Sequence, residues 1–333
     1  MATGIKQIAE MAGVSTTTVS HVVNSTRFVS EEKKERVLRA MRKLNYRPNR
    51  LASGLRRRKS NTIGVVLPDI TNPYFAEVAR GVEDACFERE YSAIICNSDA
   101  SLKTETHYLS MLAEKQMDGI VLVNVGDHGQ RPPESIVRDI PFVMLDREVH
   151  GLNADSIQVD NFAGGRMAAE HLFRLGHRDV LCIGGTPEVY PSWDRVDGFV
   201  DFMREAGSPV PKKMILAGDF QAGSGYDLTL GAMRGDSRPT AIFAANDLMA
   251  YGAIRALAEM ELRIPAEVSV VGFDDIKLSG LFNPPLTTIR QPRLDMGGVA
   301  VRLLLERAVE PDLEPRRIML PLELVARQSS GPV

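Results

Sequence analysis

A short segment near the N-terminus, VSTTTVSHVVN (residues 14–24), places hydroxyl side chains and an imidazole where the pattern otherwise predicts a helix. Threonine is a mediocre helix former, so helix propensity does not explain three in succession. On a helix, Thr16, Thr17, Ser20 and His21 would share one face. Their hydroxyls and imidazole can bond base edges and phosphates, and the threonine methyl suits the thymine methyl. This face is therefore a candidate for reading double-stranded DNA.

A second set of polar and aromatic residues follows or lies near apolar segments along the rest of the chain. Aromatic rings stack on the apolar face of a sugar, while amides and charged groups form paired hydrogen bonds with its hydroxyls. The set consists of Tyr74, Phe75, Asp146, Arg147, Trp193, Arg195, Phe220, Asn246, Asp274 and Gln291. Together these residues predict a small-molecule site, most readily for a sugar. For the nearby Asp247 and Asp275, a helix cap or a salt bridge is the simpler interpretation.

No pattern of catalytic residues, metal ligands or cofactor-binding residues emerges from the sequence. The segment CIGGTP lacks the spacing of a dinucleotide-binding loop, and neither a Walker loop nor a Gly-x-Ser-x-Gly elbow occurs. His171 and His177 flank a predicted helix end without the carboxylates of a metal site, which favours capping or packing roles. The sequence therefore predicts a protein that is not an enzyme and that uses neither cofactor nor metal. A sugar-modifying enzyme is a competing class, and it would need a general base.

Charge is distributed unevenly along the chain. Residues 1–60 contain 14 Lys and Arg against 4 Asp and Glu, a net charge of +10, whereas the remainder contains 26 against 39, a net charge of −13. A basic head on an acidic body indicates that the head meets a polyanion and the body does not. A three-helix protein-binding module is the alternative for the head.

Composition favours a cytoplasmic protein with two or more domains. The chain has 333 residues, 44% of them hydrophobic, and every apolar run is too short to span a membrane. The N-terminus does not resemble a secretory signal. Three cysteines in apolar surroundings, Cys86, Cys96 and Cys182, fit buried side chains in a reducing compartment.

Helical periodicity predicts three helices in the head, residues 1–47. Gly13 should end the first, Ser15 should cap the second, and Ser30 should begin the third, with acidic residues in its first turn. The apolar stripes are Ile5, Ile8, Ala9 and Ala12; Val19, Val22 and Val23; and Val37, Leu38, Met41 and Leu44. The first two helices are close enough in sequence for a helix-turn-helix.

Residues 48–60 form a basic linker between head and body. Pro48 breaks the third helix, and Asn49 can cap a short helix that runs through Leu55. Such a helix is not stable alone and needs a partner or DNA. A flexible tether is the alternative.

From Thr62 onward, apolar segments alternate with helical ones, which predicts parallel sheets covered by helices, an α/β fold. The segments are TIGVVLP, SAIICN, GIVLVNV, FVMLD, SIQVD, VLCIGG, MILAGD, AIFAAND and VSVVGFD. Their number predicts two sheets, with a first lobe of residues 61–160 and 292–320 and a second of 161–289 and 321–333. Because ligands bind at the carboxyl ends of parallel strands, the cleft between the lobes should hold the sugar.

The segments IKQIAEMAGVSTTTVSHVVN, RFVSEE and LNYRPN resemble the headpiece of the LacI/GalR family of bacterial transcription regulators, in particular its ribose and purine repressor branch. The resemblance extends over essentially the whole chain. It assigns base reading to Thr16, Thr17, His21 and Arg27, and phosphate contacts to Ser15, Asn24 and Tyr46. It also implies a hinge helix in the linker, where Leu55 wedges open a minor-groove step and Arg56 contacts the groove. Gly54 stands where some relatives have serine, and glycine weakens a helix.

The body is similar to the periplasmic ribose-binding proteins. That resemblance assigns ligand contacts to the strand-end set given above, apart from Trp193, which departs from the ribose pattern. The purine-reading arginine and threonine of the purine repressor would fall on Val189 and Pro191, which argues against a purine effector.

We therefore expect a homodimeric repressor that binds a pseudo-palindromic operator and releases it when a sugar, such as ribose or a related pentose or hexose, binds as an inducer. The chain ends without a heptad extension, which favours a dimer over a tetramer. A corepressor-controlled regulator and a sugar-binding protein without a regulatory role are the alternatives.

Overall fold

The computed structural model describes residues 4–24, 27–46, 59–123, 140–146, 154–187, 189–235 and 238–333. These residues form two compact units, Met1–Ser60 and Asn61–Val333. The predicted hinge helix, with Leu55 and Arg56, lies outside the described residues, and so does Arg147.

The head contains three helices, α1 (Ile5–Ala12), α2 (Thr16–Asn24) and α3 (Glu31–Lys43). As predicted, Gly13 ends α1 in a left-handed conformation with φ of 60°. The Ser15 hydroxyl accepts a hydrogen bond from the Thr18 amide at 3.1 Å and so caps α2, as predicted. Ile8, Val19 and Val37, one from each helix, are fully buried and hold the three helices together.

The predicted apolar stripes are wrong at two positions. Ile5 and Leu38 remain 37% and 40% exposed, whereas Ala40 is buried. Residues three and four positions after Val37 share its face, but Leu38 is rotated by about 100° from it. The apolar character of Leu38 therefore does not place it in the core.

The first lobe of the body contains the strands β1 (Thr62–Leu67), β2 (Ser92–Asn97), β3 (Gly119–Leu122), β4 (Phe142–Leu145), β5 (Asp155–Val159) and β11 (Arg317–Leu320). They form one six-stranded sheet in the order β11-β5-β4-β3-β1-β2, in which all pairs are parallel. Its helices are α4 (Pro73–Glu88), α5 (Leu102–Glu114) and α10 (Arg293–Val309). Apolar residues of α4 and α10 pack together over the buried strands of this sheet.

The second lobe contains the strands β6 (Val180–Gly184), β7 (Ile215–Ala217), β8 (Ala241–Ala244), β9 (Ser269–Asp274), β10 (Thr287–Arg290) and β12 (Glu323–Val325). They form one six-stranded sheet in the order β12-β10-β9-β8-β6-β7, in which all pairs are parallel except β12 with β10. Its helices are α6 (Asn161–Arg174), α7 (Tyr190–Glu205), the 3₁₀ turn Lys212–Met214, α8 (Ala222–Met233) and α9 (Asp247–Glu259). The stacked rings of Phe199 and Phe243, 4.8 Å apart, lie at the centre of its core.

The chain passes between the lobes three times, after β5, after β10 and after β11. The predicted α/β class with two mostly parallel sheets is thus confirmed, and all nine predicted segments form strands. Strands β10 to β12 were not predicted from the sequence. No helix in the described part of the chain has the length and hydrophobicity to cross a membrane.

Candidate functional site

The hydroxyl-rich face of α2 is available on the surface of the head. Thr16 and Thr17 are exposed in its first turn, and Ser20 and His21 are half-buried one turn later. The opposite face is anchored by Val19, which is fully buried. The core therefore fixes the rotation of α2 and leaves its first turn free to approach a ligand.

The other predicted DNA contacts of the head differ in their exposure. Arg27 is exposed in the loop after α2, while Tyr46 is half-buried because it packs against the helical core. Asn24 is the last residue of α2, but its side chain lies outside the described part of the structure. Ser15 uses its hydroxyl as the cap of α2, so any phosphate contact must share that group.

Most of the predicted effector residues that the structure describes end or follow a strand of one of the two sheets, whereas Trp193 and Arg195 lie in α7. Tyr74 and Phe75 occupy the first turn of α4, after β1, and Asp146 follows β4. In the second lobe, Phe220 follows β7, Asn246 follows β8, Asp274 ends β9, and Arg195 belongs to α7. Gln291 follows β10, in the connection that returns to the first lobe.

A continuous chain of polar contacts joins five of these side chains across the two lobes. Arg195 Nη1 lies 3.4 Å from Asp274 Oδ1, which also accepts a hydrogen bond of 2.7 Å from Gln291 Nε2. The Tyr74 hydroxyl lies 3.3 Å from both Gln291 Oε1 and Asp146 Oδ1, and it can donate to one of them at a time. All five side chains are at least nine-tenths buried. A buried set of donors and acceptors of this kind can bind the hydroxyls of a small polar ligand.

Arg195 is held rigidly by groups that the sequence analysis did not assign. Its Nε donates to Asn161 Oδ1 at 2.7 Å, and its Nη1 donates to the Ala245 carbonyl at 2.7 Å. Its guanidinium lies 3.9 Å from the Phe273 ring centroid. A Cβ at Gly165 would lie 1.9 Å from the Arg195 carbonyl, so the close approach of α6 to α7 requires glycine there. In the sequence, the only indication of a role for Asn161 is its position directly after Asp160, where the first lobe was predicted to end.

Arg293 and Glu77 were also missed by the sequence analysis, although they support the same site. Arg293 donates to the backbone carbonyl of Asp274 and pairs with Glu77 of α4 at 2.9 Å. Glu77 accepts a further hydrogen bond from the Lys277 amide in the second lobe. These bonds link α4 to the loop that follows β9.

Burial changes the protonation of the acidic groups in this region. It raises the pKa of Asp274, although the neighbouring Arg195 and the hydrogen bond from Gln291 act in the opposite direction. The pKa of the Tyr74 hydroxyl is also raised, first by burial and then by the negative charge of Asp146. Tyr74 is therefore a neutral donor at physiological pH.

Three effector candidates adopt backbone conformations that residues other than glycine rarely use. The φ angles are 64° at Asp146, 66° at Phe220 and 117° at Asp274. Each residue stands at or just after the end of a strand, where the chain turns sharply. Such conformations cost about 1–3 kcal/mol and persist where the surrounding structure holds them, often at ligand sites.

Two aromatic side chains of the set lie beside the end of β6. Trp193, in the first turn of α7, donates from Nε1 to the Thr186 carbonyl at 3.2 Å. The Phe220 carbonyl accepts a 3.0 Å hydrogen bond from Asn246 Nδ2, and Asn246 Oδ1 caps α9 at the Met249 amide. Asn246 thus connects Phe220 to the start of α9.

Asp275 forms salt bridges, as the sequence favoured, whereas Asp247 does not cap α9, a role taken by Asn246, and has other hydrogen bonds instead. Asp247 is fully buried and accepts hydrogen bonds from the Ile276 amide, Ser279 Oγ and Thr288 Oγ1. Asp275 pairs with Arg290 and Arg327, each at 2.7 Å.

Within the described ranges, no group of three His, Cys, Asp or Glu residues is arranged to hold a metal ion. His177 instead has its Nδ1 3.0 Å from Thr240 Oγ1 and its Nε2 3.0 Å from Ser269 Oγ. His171 has its Nε2 2.8 Å from Ser330 Oγ. These histidines fix the C-terminal segment against the second lobe.

Residues 4–49 match the family described as bacterial regulatory proteins, lacI family, and residues 169–330 match a periplasmic binding protein-like domain. The ribose operon repressor of Escherichia coli (strain K12) is 38% identical over 329 residues, covering 98% of this chain and 99% of the relative. The transcriptional repressor PurR of Photobacterium profundum is 41% identical over 327 residues, covering 98% of each chain.

Solved structures show the same architecture. A lac repressor dimer bound to operator and the anti-inducer ONPF superposes with a TM-score of 0.89 at 28% identity, covering 99% of this chain and 100% of the other. A LacI family transcriptional regulator from Enterococcus faecium with bound ribose gives a TM-score of 0.72 at 31% identity, covering 82% and 99%. The chain therefore belongs to the LacI family of bacterial regulatory proteins, and it is a DNA-binding transcription repressor.

Proposed function

We propose that a sugar, ribose or a related pentose or hexose, binds between the two lobes of the body and acts as an inducer. The observation that carries this proposal is the buried chain of contacts from Arg195 through Asp274, Gln291 and Tyr74 to Asp146. It offers charged, amide and hydroxyl groups from both lobes to one small ligand. The aromatic rings of Phe75, Phe220 and Trp193 supply the apolar surfaces that a sugar ring needs.

The relatives support a sugar effector. One of them is named a ribose operon repressor, and a structural relative contains bound ribose. We further propose that the protein acts as a homodimer, as in the operator-bound lac repressor dimer. Two α2 helices would then enter successive major grooves of a pseudo-palindromic operator, about 10 bp apart. Residues 48–60 would join the head, residues 1–47, to the effector-binding body, residues 61–333.

In this mechanism the sugar draws the lobes together, because its hydroxyls contact Asp146 on one side and Arg195 and Asp274 on the other. A changed position of the first lobe would separate the linkers of the two protomers and weaken operator binding. A ligand shifts such an equilibrium only through different affinities for the two states.

A purine corepressor is the second candidate, because PurR proteins are 39–41% identical to this chain. Val189 and Pro191 argue against it. Val189 is the N-cap residue that precedes α7, and Pro191 is buried in its first turn, so neither offers the polar side chain by which a purine would be recognised. A purine-dependent increase in operator affinity would establish this alternative.

The test is a thermal-shift screen of the purified protein against D-ribose, other pentoses, hexoses, hypoxanthine and guanine, followed by operator titration with each ligand that stabilises it. A sugar that raises the melting temperature and weakens operator binding is expected. Stabilisation by purines alone would overturn the sugar proposal. Chemical analysis of the sugar after incubation distinguishes binding from conversion, and recovery of any product would indicate an enzyme.

A further inference from the structure

The end of β6 carries two adjacent glycines, Gly184 and Gly185, beside the aromatic residues of the cleft. A Cβ placed on Gly185 would lie 2.1 Å from Phe220 Cζ and 2.5 Å from both Cε atoms. The far edge of the Phe220 ring therefore occupies the space that any side chain at position 185 would need. At Gly184, a Cβ would come only to 3.3–3.4 Å from the Trp193 ring, a tight contact without overlap.

Two features hold the backbone of Phe220 in place. Its backbone is held in the left-handed region with φ of 66°, and its carbonyl accepts the hydrogen bond from Asn246 Nδ2. Asn246 is in turn fixed by its cap on α9, at the Met249 amide. The ring thus projects from an anchored backbone, and only rotation about its side-chain torsions could relieve an overlap.

We propose that Gly185 is a specificity-determining residue of the effector site. Its missing side chain lets the Phe220 ring lie over the end of β6 and form, with Trp193, an aromatic surface for the apolar face of a sugar ring. A larger residue at position 185 would displace the ring without disturbing the polar contacts of Arg195 and Asp274. This inference rests on the proposed sugar function of the cleft.

The steric relation makes a specific prediction about two substitutions. Gly185→Ala should weaken binding of D-ribose about 10-fold or more, as one methyl group in a binding pocket can, and Phe220→Ala should weaken it similarly. When Phe220 is already alanine, Gly185→Ala should have almost no further effect, because the group that it displaces is absent. Interacting positions deviate from additivity in this way.

The experiment measures D-ribose affinity by calorimetry and by the emission of Trp193, the only tryptophan in the chain. It compares wild type, both single variants, the double variant and Gly231→Ala, a control in α8 where a Cβ would meet nothing within 4 Å. Operator binding without sugar verifies that each variant is folded. The inference would be overturned if Gly185→Ala bound D-ribose with wild-type affinity. It would also be overturned if Gly185→Ala lowered the affinity equally in the wild-type and Phe220→Ala backgrounds; either result would leave the sugar function intact.

A wild-type protein that binds neither D-ribose nor any other pentose or hexose would refute the proposed function instead. The steric relation between Gly185 and Phe220 is then tested without ligand, by urea unfolding of wild type, the two single variants and the double variant. Gly185→Ala should lower the unfolding midpoint only when Phe220 is present. Equal midpoint shifts in both backgrounds would overturn the steric relation itself.

Discussion

At the scale of single residues, Asp274 is held by polar contacts with three other side chains. Its Oδ1 faces both Arg195 and Gln291, and its backbone carbonyl accepts from Arg293. The residue is 4% exposed, so an ionised carboxylate there is tolerated because of these partners. A ligand hydroxyl would compete for the same acceptor.

Replacing Asp274 by asparagine should weaken sugar binding by about 1.5–3 kcal/mol, the usual contribution of a hydrogen bond to a charged group. Asp275→Asn is a matched control, because Asp275 pairs with Arg290 and Arg327 and not with the cleft set. Calorimetric titration with sugar should show a change in the first variant and an unchanged Kd in the second. An unaffected Kd in Asp274→Asn would remove Asp274 from the site.

The raised pKa of Asp274 predicts pH-dependent binding of an uncharged sugar. Its ionised form is the acceptor, so affinity is full above the raised pKa and is lost as pH falls through it. The loss should begin at milder acidity than for an ordinary aspartate. Calorimetry from about pH 8 to about pH 5 measures it. The Asp274→Asn variant, which cannot titrate, should lack this component, and a pH-independent wild-type affinity would contradict the assignment.

At the scale of elements, α2 separates its two roles by face. Val19 holds the helix in the head, while Thr16 and Thr17 are exposed. Thr17→Ala should therefore reduce discrimination between operator and altered operator by about 1–3 kcal/mol without unfolding the head. Ser30→Ala is the control, since Ser30 is exposed at the start of α3 and its side chain makes no capping bond. Competition mobility shifts measure the ratio of the affinities for operator and altered operator. An unchanged ratio in Thr17→Ala would show that α2 does not read bases through Thr17.

A buried ion cluster fixes α10 to the edge of the first sheet. Asp155, fully buried in β5, accepts from Arg307 Nη2 at 2.8 Å and from Arg316 Nη2 at 3.0 Å. These hydrogen bonds hold the pKa of Asp155 below its usual value in spite of its burial. Removing one partner of a buried pair leaves an uncompensated charge.

Asp155→Asn should therefore lower the free energy of unfolding of the body by about 3–5 kcal/mol. Asp84→Asn provides the comparison, because its pair with Arg80 is a surface pair within α4 and should contribute at most about 1 kcal/mol. Urea denaturation of both variants measures the difference. Equal midpoints for the two would mean that the cluster does not anchor α10.

At the scale of the whole molecule, effector and operator must be coupled reciprocally. If sugar lowers operator affinity by some factor, operator must lower sugar affinity by the same factor, typically about 5- to 150-fold. Sugar titration of the free protein and of the operator complex at one salt concentration measures this factor from both sides. Unequal factors would indicate that the sugar acts at more than one site or changes the oligomeric state.

Local patterns in the sequence predicted much of this fold. Apolar segments predicted nine strands because a strand buried on both faces needs an uninterrupted apolar run, as in VVGF of β9. The strands β10 to β12 were missed because they are short and partly polar, and β11 and β12 have exposed residues. Their strand conformation depends on pairing with partners distant in sequence, which periodicity does not encode.

The sequence by itself determined the basic head, the capped helix α2 and the residue types that end each strand, because these depend on local propensity and charge. Tertiary structure decided which of those residues meet. Tyr74 and Gln291 are 217 positions apart, yet their side chains approach to 3.3 Å because the chain returns to the first lobe after β10. Asn161, Arg293 and the glycine beneath Phe220 acquire their roles only through such contacts, since a side chain that orients another is recognisable only once both have been placed in space.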